Sequence, residues 1–209
     1  MLPSLETIIK NDEINKALFS IPDDNALGSD GYSSLFFKRS WGIFGSDFFA
    51  GMKYFFEFST LPRCVNATRI ALVLKIKNHL TMNDFRPIFC CNVMYKCISK
   101  VIMSRLQLIL LDVMGFSHTA FVYERHILDV ILLTQELMHN YHLPDTMSRC
   151  ALKINIKKAF ETINWEFILL GLRTIEVPSS MIRWIEVCMS TVHFSMTINR
   201  ELHGFFSVS

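Results

Sequence analysis

The stretch from Cys150 to Leu172 constrains the chain more than any other. Leu152, Ile154 and Ile156 alternate with Ala151, Lys153 and Asn155, the period of a strand with one apolar face. Asn164 then stands at the cap of a helical run, Trp165 to Leu172, whose apolar residues recur three and four apart. Asn155 therefore falls on the polar side of the strand, five residues before Phe160.

The 209 residues suffice for one large domain or two small ones with a sizeable core. Hydrophobic residues make up 51% and the mean hydropathy is +0.30, greasy for a free-standing soluble domain. No window of about eighteen residues lacks charge or strong polarity, so no transmembrane helix and no membrane partner are expected. Met1-Leu-Pro-Ser-Leu-Glu6 lacks a basic region followed by an apolar one, which predicts no secretory signal and an intracellular protein of unspecified compartment. The six cysteines (64, 90, 91, 97, 150, 188) lack metal-type C-x-x-C pairs and read as reduced, partly buried thiols.

The net charge of +2 hides a segregation. Residues 68–105 carry seven basic side chains (Arg69, Lys75, Lys77, Arg86, Lys96, Lys100, Arg105) against one acid, Asp84. Residues 1–67 hold six basic and eight acidic groups, and residues 106–209 eight and ten, so each flank is −2. A basic segment between mildly acidic ones suits a polyanion, because released phosphate counterions favour binding. Charge runs are nevertheless more often solvated faces.

Along the chain, Asp12 is expected to cap a helix to about Ser20, with Ile14, Ala17 and Leu18 on one face. Ile21–Lys38 reads as a polar, turn-rich loop running into a helix start, with Gly28 and Gly31 supplying backbone freedom. A phenylalanine-rich helix is predicted over Ser46–Phe58. Ala67–Lys77 is a strand, Asn78–Asn83 a turn, and Asp84–Phe89 the return strand, which Pro87 confines to an edge or an end. Cys90–Leu111 reads as one long helix whose stripe is Val93, Cys97, Ile98, Val101, Arg105 and Leu108, while Lys96, Lys100 and Ser104 line another face. His139 and His142 lack a third ligand at metal spacing and read as solvated or capping residues. Pro178 opens a helix, Ser179–Thr191, with Met181, Trp184, Ile185 and Cys188 inward. His193–Asn199 and Leu202–Val208 then form a hairpin.

Taken in order, these segments resemble the reverse transcriptases of LINE-type (non-LTR) retrotransposons, the plant lineage above all. Residues 150–167, Cys-Ala-Leu-Lys-Ile-Asn-Ile-Lys-Lys-Ala-Phe-Glu-Thr-Ile-Asn-Trp-Glu-Phe, are similar to that family's first palm motif, A-L-K-V-D-L-x-K-A-Y/F-D-x-V-N-W-x-F. Ile21–Lys38 resembles I-P-D-D-K-A-P-G-P-D-G-x-S-x-x-F-F-K, with Leu27 and Ser29 where prolines are usual. Loss of two φ-fixing prolines predicts a looser loop. The 67–89 hairpin resembles the fingers motif L-I-P-K…F-R-P-I-S, with Leu74 replacing the proline. Gly115–Ile127 is similar to Q-S-A-F-V-x-G-R-x-I, with His118 and Glu124 substituted, and residues 194–206 to F-S-V-x-I-N-G-E-L-x-G-F-F. The resemblance runs unbroken from about residue 12 to 206.

The resemblance implies an α+β chain, an incomplete right-hand polymerase fold. A helical N-terminal region (1–66) would precede a fingers-like region (67–149) and a partial palm (150–209). It implies RNA-directed DNA polymerase ancestry, with Lys75 and Arg86 facing an incoming triphosphate and Arg125 near nucleotide and template. Phe160 would lie under the sugar, where it excludes a 2′-hydroxyl. The intact family holds two magnesium ions on three carboxylates, one of them in the first palm motif. Asn155 fills that position, and neither R-G-L-R-Q-G-D-P-L-S-P nor F-A-D-D occurs in the 209 residues. No intact catalytic residue, bound metal or cofactor is therefore expected, and the chain reads as an inactive remnant. Two alternatives stand beside it: a non-catalytic RNA- or DNA-binding module built on 68–105, and a fragment of an active enzyme continuing past Ser209. The expected partner is a weakly held RNA or DNA template–primer. An open sheet edge beside 150–156 and the apolar composition also predict aggregation or chaperone association.

Overall fold

The computed structural model describes residues 8–75, 81, 84–113, 127–139, 162–198 and 201–207. In chain order its elements are α1 (Asn11–Phe19), α2 (Ser34–Arg39), α3 (Trp41–Phe58), β1 (Ala67–Leu74), β2 (Phe85–Cys91), α4 (Val93–Val113), α5 (Ile127–Met138), α6 (Trp165–Thr174), α7 (Ser179–Ser190), β3 (His193–Ile198) and β4 (Glu201–Ser207). Seven helices and one mixed four-stranded sheet make the described residues an α+β fold, as the sequence leads one to expect. Two compact units divide the chain: residues 1–104 with 176–209, and residues 105–175.

In the first unit α1 buries Ile14, Ala17 and Leu18, the face its spacing indicates. Its N-terminus is Lys10 rather than Asp12. Glu13 Oε1 accepts from the Lys10 N–H at 3.2 Å, and the acids in the first turn offset the helix dipole. α3 begins at Trp41, ahead of the expected Ser46. The Trp41 ring packs edge-on against Phe48 and Phe49 and covers Gly45, so aromatic packing outweighs the low helix propensity of two glycines. α3 and α7 lock together through Trp184, whose indole N–H donates to the Phe56 carbonyl at 3.0 Å while the two rings meet at 81°. Met181, Ile182, Trp184 and Cys188 face inward; Ile182 takes the place expected for Ile185.

The strand order is β2-β1-β3-β4, with β1 antiparallel to β2 and parallel to β3. Pro87 indeed lies on an edge strand. Cys90 and Cys91, expected in the following helix, instead pair with Arg69 and Thr68 in the ladder. The helix starts after Asn92, whose carbonyl takes the first helical bond from Lys96 N–H at 3.0 Å. Along α4 the buried stripe runs Val93, Cys97, Ile98, Val101, Arg105 and then Ile109, four past Arg105, leaving the expected Leu108 exposed.

The parallel pairing is pinned by Asn66, which is fully buried. Its carbonyl accepts from His193 N–H at 3.1 Å, and its amide donates to Thr191 Oγ1 at 2.8 Å and toward the Cys188 carbonyl. One residue thus ties the start of β1 to the end of α7 and the start of β3. The expected hairpin over 193–208 is present, with a bulge where the register shifts between Phe194 and Met196; Gly204, at φ +68°, supplies its left-handed residue.

In the second unit the described elements are the end of α4, α5 and α6. Asn164 caps α6 as its position suggests, Oδ1 accepting from the Glu166 N–H at 2.7 Å. The strand expected over 150–156 lies outside the described residues, so its edge has no structural account.

Candidate nucleic-acid interface

β3 accompanies β1 only as far as Ala71, whereas β2 pairs on to Leu74. The far end of the β1–β2 hairpin is therefore a two-stranded tip. Lys75 N–H donates to the Asp84 carbonyl at 2.8 Å, which carries the ladder one pair beyond the strand ends. The Asp84 side chain turns back to accept from Thr81 N–H at 2.9 Å and lies 3.1 Å from the Thr81 hydroxyl. Arg86 stands opposite Val73, two residues from Lys75 on the same strand face, so alternation puts both cations on one side of the tip. Val73, Lys75, Arg86 and Ile88 are all exposed. Two like charges held as diagonal neighbours at an exposed tip favour an anionic ligand that bridges them.

The rest of the basic segment is differently employed. Arg69 lies on the same face of β1, half-buried, with Nη2 3.4 Å from the Gly28 carbonyl and 3.5 Å from that of Ser29. Lys96 Nζ donates to the Ala26 carbonyl, and Lys100 Nζ to the carbonyl and hydroxyl of Ser20. Arg105 is buried. The local +6 is therefore not a uniform solvated face: at least four of the seven cations are engaged with the chain or buried. Lys77 lies outside the described residues.

The residue that sequence reasoning missed is Asn92, 3% exposed. Its amide nitrogen donates to the Cys64 carbonyl at 2.7 Å and toward that of Val65, and its Oδ1 accepts from Asp30 N–H at 3.3 Å. The Ser29 hydroxyl sits between Ala67 O and Asn92 Oδ1, at 3.2 and 3.1 Å. The loop expected to loosen without its prolines is thus tethered by the serine that replaces one of them. Gly28 is required here for close approach, since a Cβ would lie 2.6 Å from the Asn92 backbone N and Cα; Gly31 is required for its φ of +77°. An asparagine just before an apolar helix was the available signal.

Arg125, Asn155 and Phe160 all lie outside the described residues, so the structure brings none of them to the hairpin tip or away from it. The donor chemistry at 155 still bears on magnesium. An asparagine amide offers a neutral oxygen where octahedral Mg2+ prefers anionic ones, and Lys153, Lys157 and Lys158 surround it in the sequence. Burial pushes Cys97 and Cys188 up to about 12 and raises Cys91, against the partial relief that its Thr68 hydrogen bond gives.

The comparisons with known proteins agree with the motifs. Residues 75–208 match the family model described as reverse transcriptase (RNA-dependent DNA polymerase). The chain is also 25% identical over 198 residues to the Transposon TX1 uncharacterized 149 kDa protein of Xenopus laevis, a span covering 95% of this chain and 15% of that protein. The chain thus spans about 15% of the length of the curated relative it matches. A frog relative singles out no plant lineage. With the family model covering well over half its length and its motifs in unbroken order, the chain belongs to the reverse transcriptase family.

Proposed function

We propose that this chain is a catalytically silent reverse-transcriptase domain that keeps a phosphate-facing fingers hairpin. One observation carries the reading: the position of the family's first metal-binding carboxylate is occupied by Asn155. Two-metal nucleotidyl transfer depends on anionic ligands that hold the ions and offset their charge. A neutral amide there leaves the first ion underligated, whatever the rest of the protein contributes. Glu161 occupies the place of a second acid that does not ligate metal in the family, so it offers no replacement.

A binding role is favoured separately by the placement of Lys75 and Arg86 on one face of an exposed tip. Weak, salt-dependent association with RNA or DNA follows from that pair without any catalysis. The direct test is primer extension on a polyadenylate template with magnesium or manganese. No incorporation above a heat-killed control is expected, and incorporation by the purified chain overturns the reading.

A further inference from the structure

We infer that residues 20–29 form a strap lying over a second row of cations, and that a single-stranded nucleic acid backbone competes with the strap for that row. The inference goes beyond the hairpin tip, because none of the row's members is Lys75 or Arg86. Lys96 and Lys100 sit four apart on α4, about 6 Å along its axis, and Asn92, just ahead of the helix, continues the same four-residue spacing. The strap runs antiparallel along it. Ser20 meets Lys100, Ala26 meets Lys96, and Ser29 and Asp30 meet Asn92. Where the stripe ends, Arg69 takes over and reaches the carbonyls of Gly28 and Ser29.

The groups that the strap offers these cations are the carbonyl oxygens of Ser20, Ala26, Gly28 and Ser29 and the Ser20 hydroxyl, and it also carries Asp24 and Asp23, the latter paired with Lys38 at 2.6 Å. It therefore presents to these cations what a phosphate backbone also presents, acceptor oxygens on one extended segment. Lysines one helical turn apart suit successive phosphates of an extended strand. Arg69 lies on the same face of β1 as Lys75, six residues on, or about 20 Å along the strand. The row thus leads toward the tip rather than away from it.

The strap's anchorage is graded in the way that exchange requires. The bonds from Lys96 and Lys100 are exposed to water, and charges at such positions gain little from a neutral carbonyl. Arg69 holds its carbonyls at long range, with its Nε buried and without a hydrogen-bond partner among the described residues. An Arg that is imperfectly satisfied by the strap has more to gain from a bidentate phosphate. The firm attachments are at the ends. The Ser34 hydroxyl donates to the Pro22 carbonyl at 2.6 Å, and Asn92 grips Ser29 and Asp30.

The test uses the whole chain and a fluorescent single-stranded uridine homopolymer. Gly28→Ala drives a methyl into the Asn92 backbone and lifts the strap while leaving every cation in place. Binding should tighten about tenfold, and the salt slope should steepen by about two units as Lys96 and Lys100 meet phosphates. Adding Lys96→Ala and Lys100→Ala to that variant should abolish the gain. Unchanged affinity and slope in a folded Gly28→Ala protein would overturn the inference. If that variant does not fold, the parent chain decides: RNA should accelerate limited proteolysis between Pro22 and Leu27, and protection or no change there overturns it. Lys75→Ala with Arg86→Ala separates the two binding readings. Loss of the Gly28→Ala gain in that background overturns the second row as a site separate from the tip, whereas a gain that persists undiminished there upholds the row even if the tip proves inert.

Discussion

Asn92 is where three separate segments become one structure. It receives Ser29 and Asp30 on its oxygen and gives its amide protons to the carbonyls of Cys64 and Val65. Asn92→Ala leaves those carbonyls without a donor in a buried place, and should cost about 2–3 kcal/mol by urea denaturation. Asn92→Asp should be no better, because a carboxylate would face two carbonyl oxygens; recovery of stability by Asp would show that the donor half of the amide is unimportant. Neither effect was legible in the sequence, since the partners lie 27 to 63 residues away. What was legible at this scale is local: the Asn164 cap, the buried triad of α1, and a glycine where Gly31 turns left-handed. Gly28 was legible as a loop glycine but not for its actual reason, which is the nearness of Asn92.

The hairpin β1–β2 shows the same division. Its existence and its edge position follow from the strand pattern and from Pro87, whereas Lys75 and Arg86 stand out through the family resemblance. The hairpin's length follows from neither. Cys90 and Cys91 have the apolar character of a helix start, and only pairing with Thr68 and Arg69 across the ladder draws them into the strand. The parallel pairing of β1 with β3 joins residues more than a hundred apart and carries no local signature. At the tip, Lys75→Ala with Arg86→Ala should weaken RNA binding and flatten its salt slope by up to about two units, one per phosphate contact. Binding by the double variant equal to the parent's would remove the tip from the interface.

Across the whole molecule, buried thiols and a half-buried phenol set an alkaline limit on stability. Cys97 and Cys188 are pushed up to about 12 by burial, and Cys91 and Tyr95 are raised by the same cause. The folded state keeps these groups neutral. Below their ordinary values the two states bind the same protons and the contribution is level. Above about 9 the unfolded chain ionises first, so stability should fall steadily between about pH 9 and 12. Urea midpoints that stay flat over that range would show that the thiols are more open than their burial indicates. The reverse-transcriptase family and its α+β fold are both present, and the proposal is that Asn155 removes the polymerase chemistry. The most direct measurement fuses this chain to a C-terminal segment bearing the family's later acidic motifs and compares primer extension with and without Asn155→Asp. The account predicts incorporation only in the fusion carrying Asn155→Asp; incorporation by the fusion that retains Asn155 would contradict it.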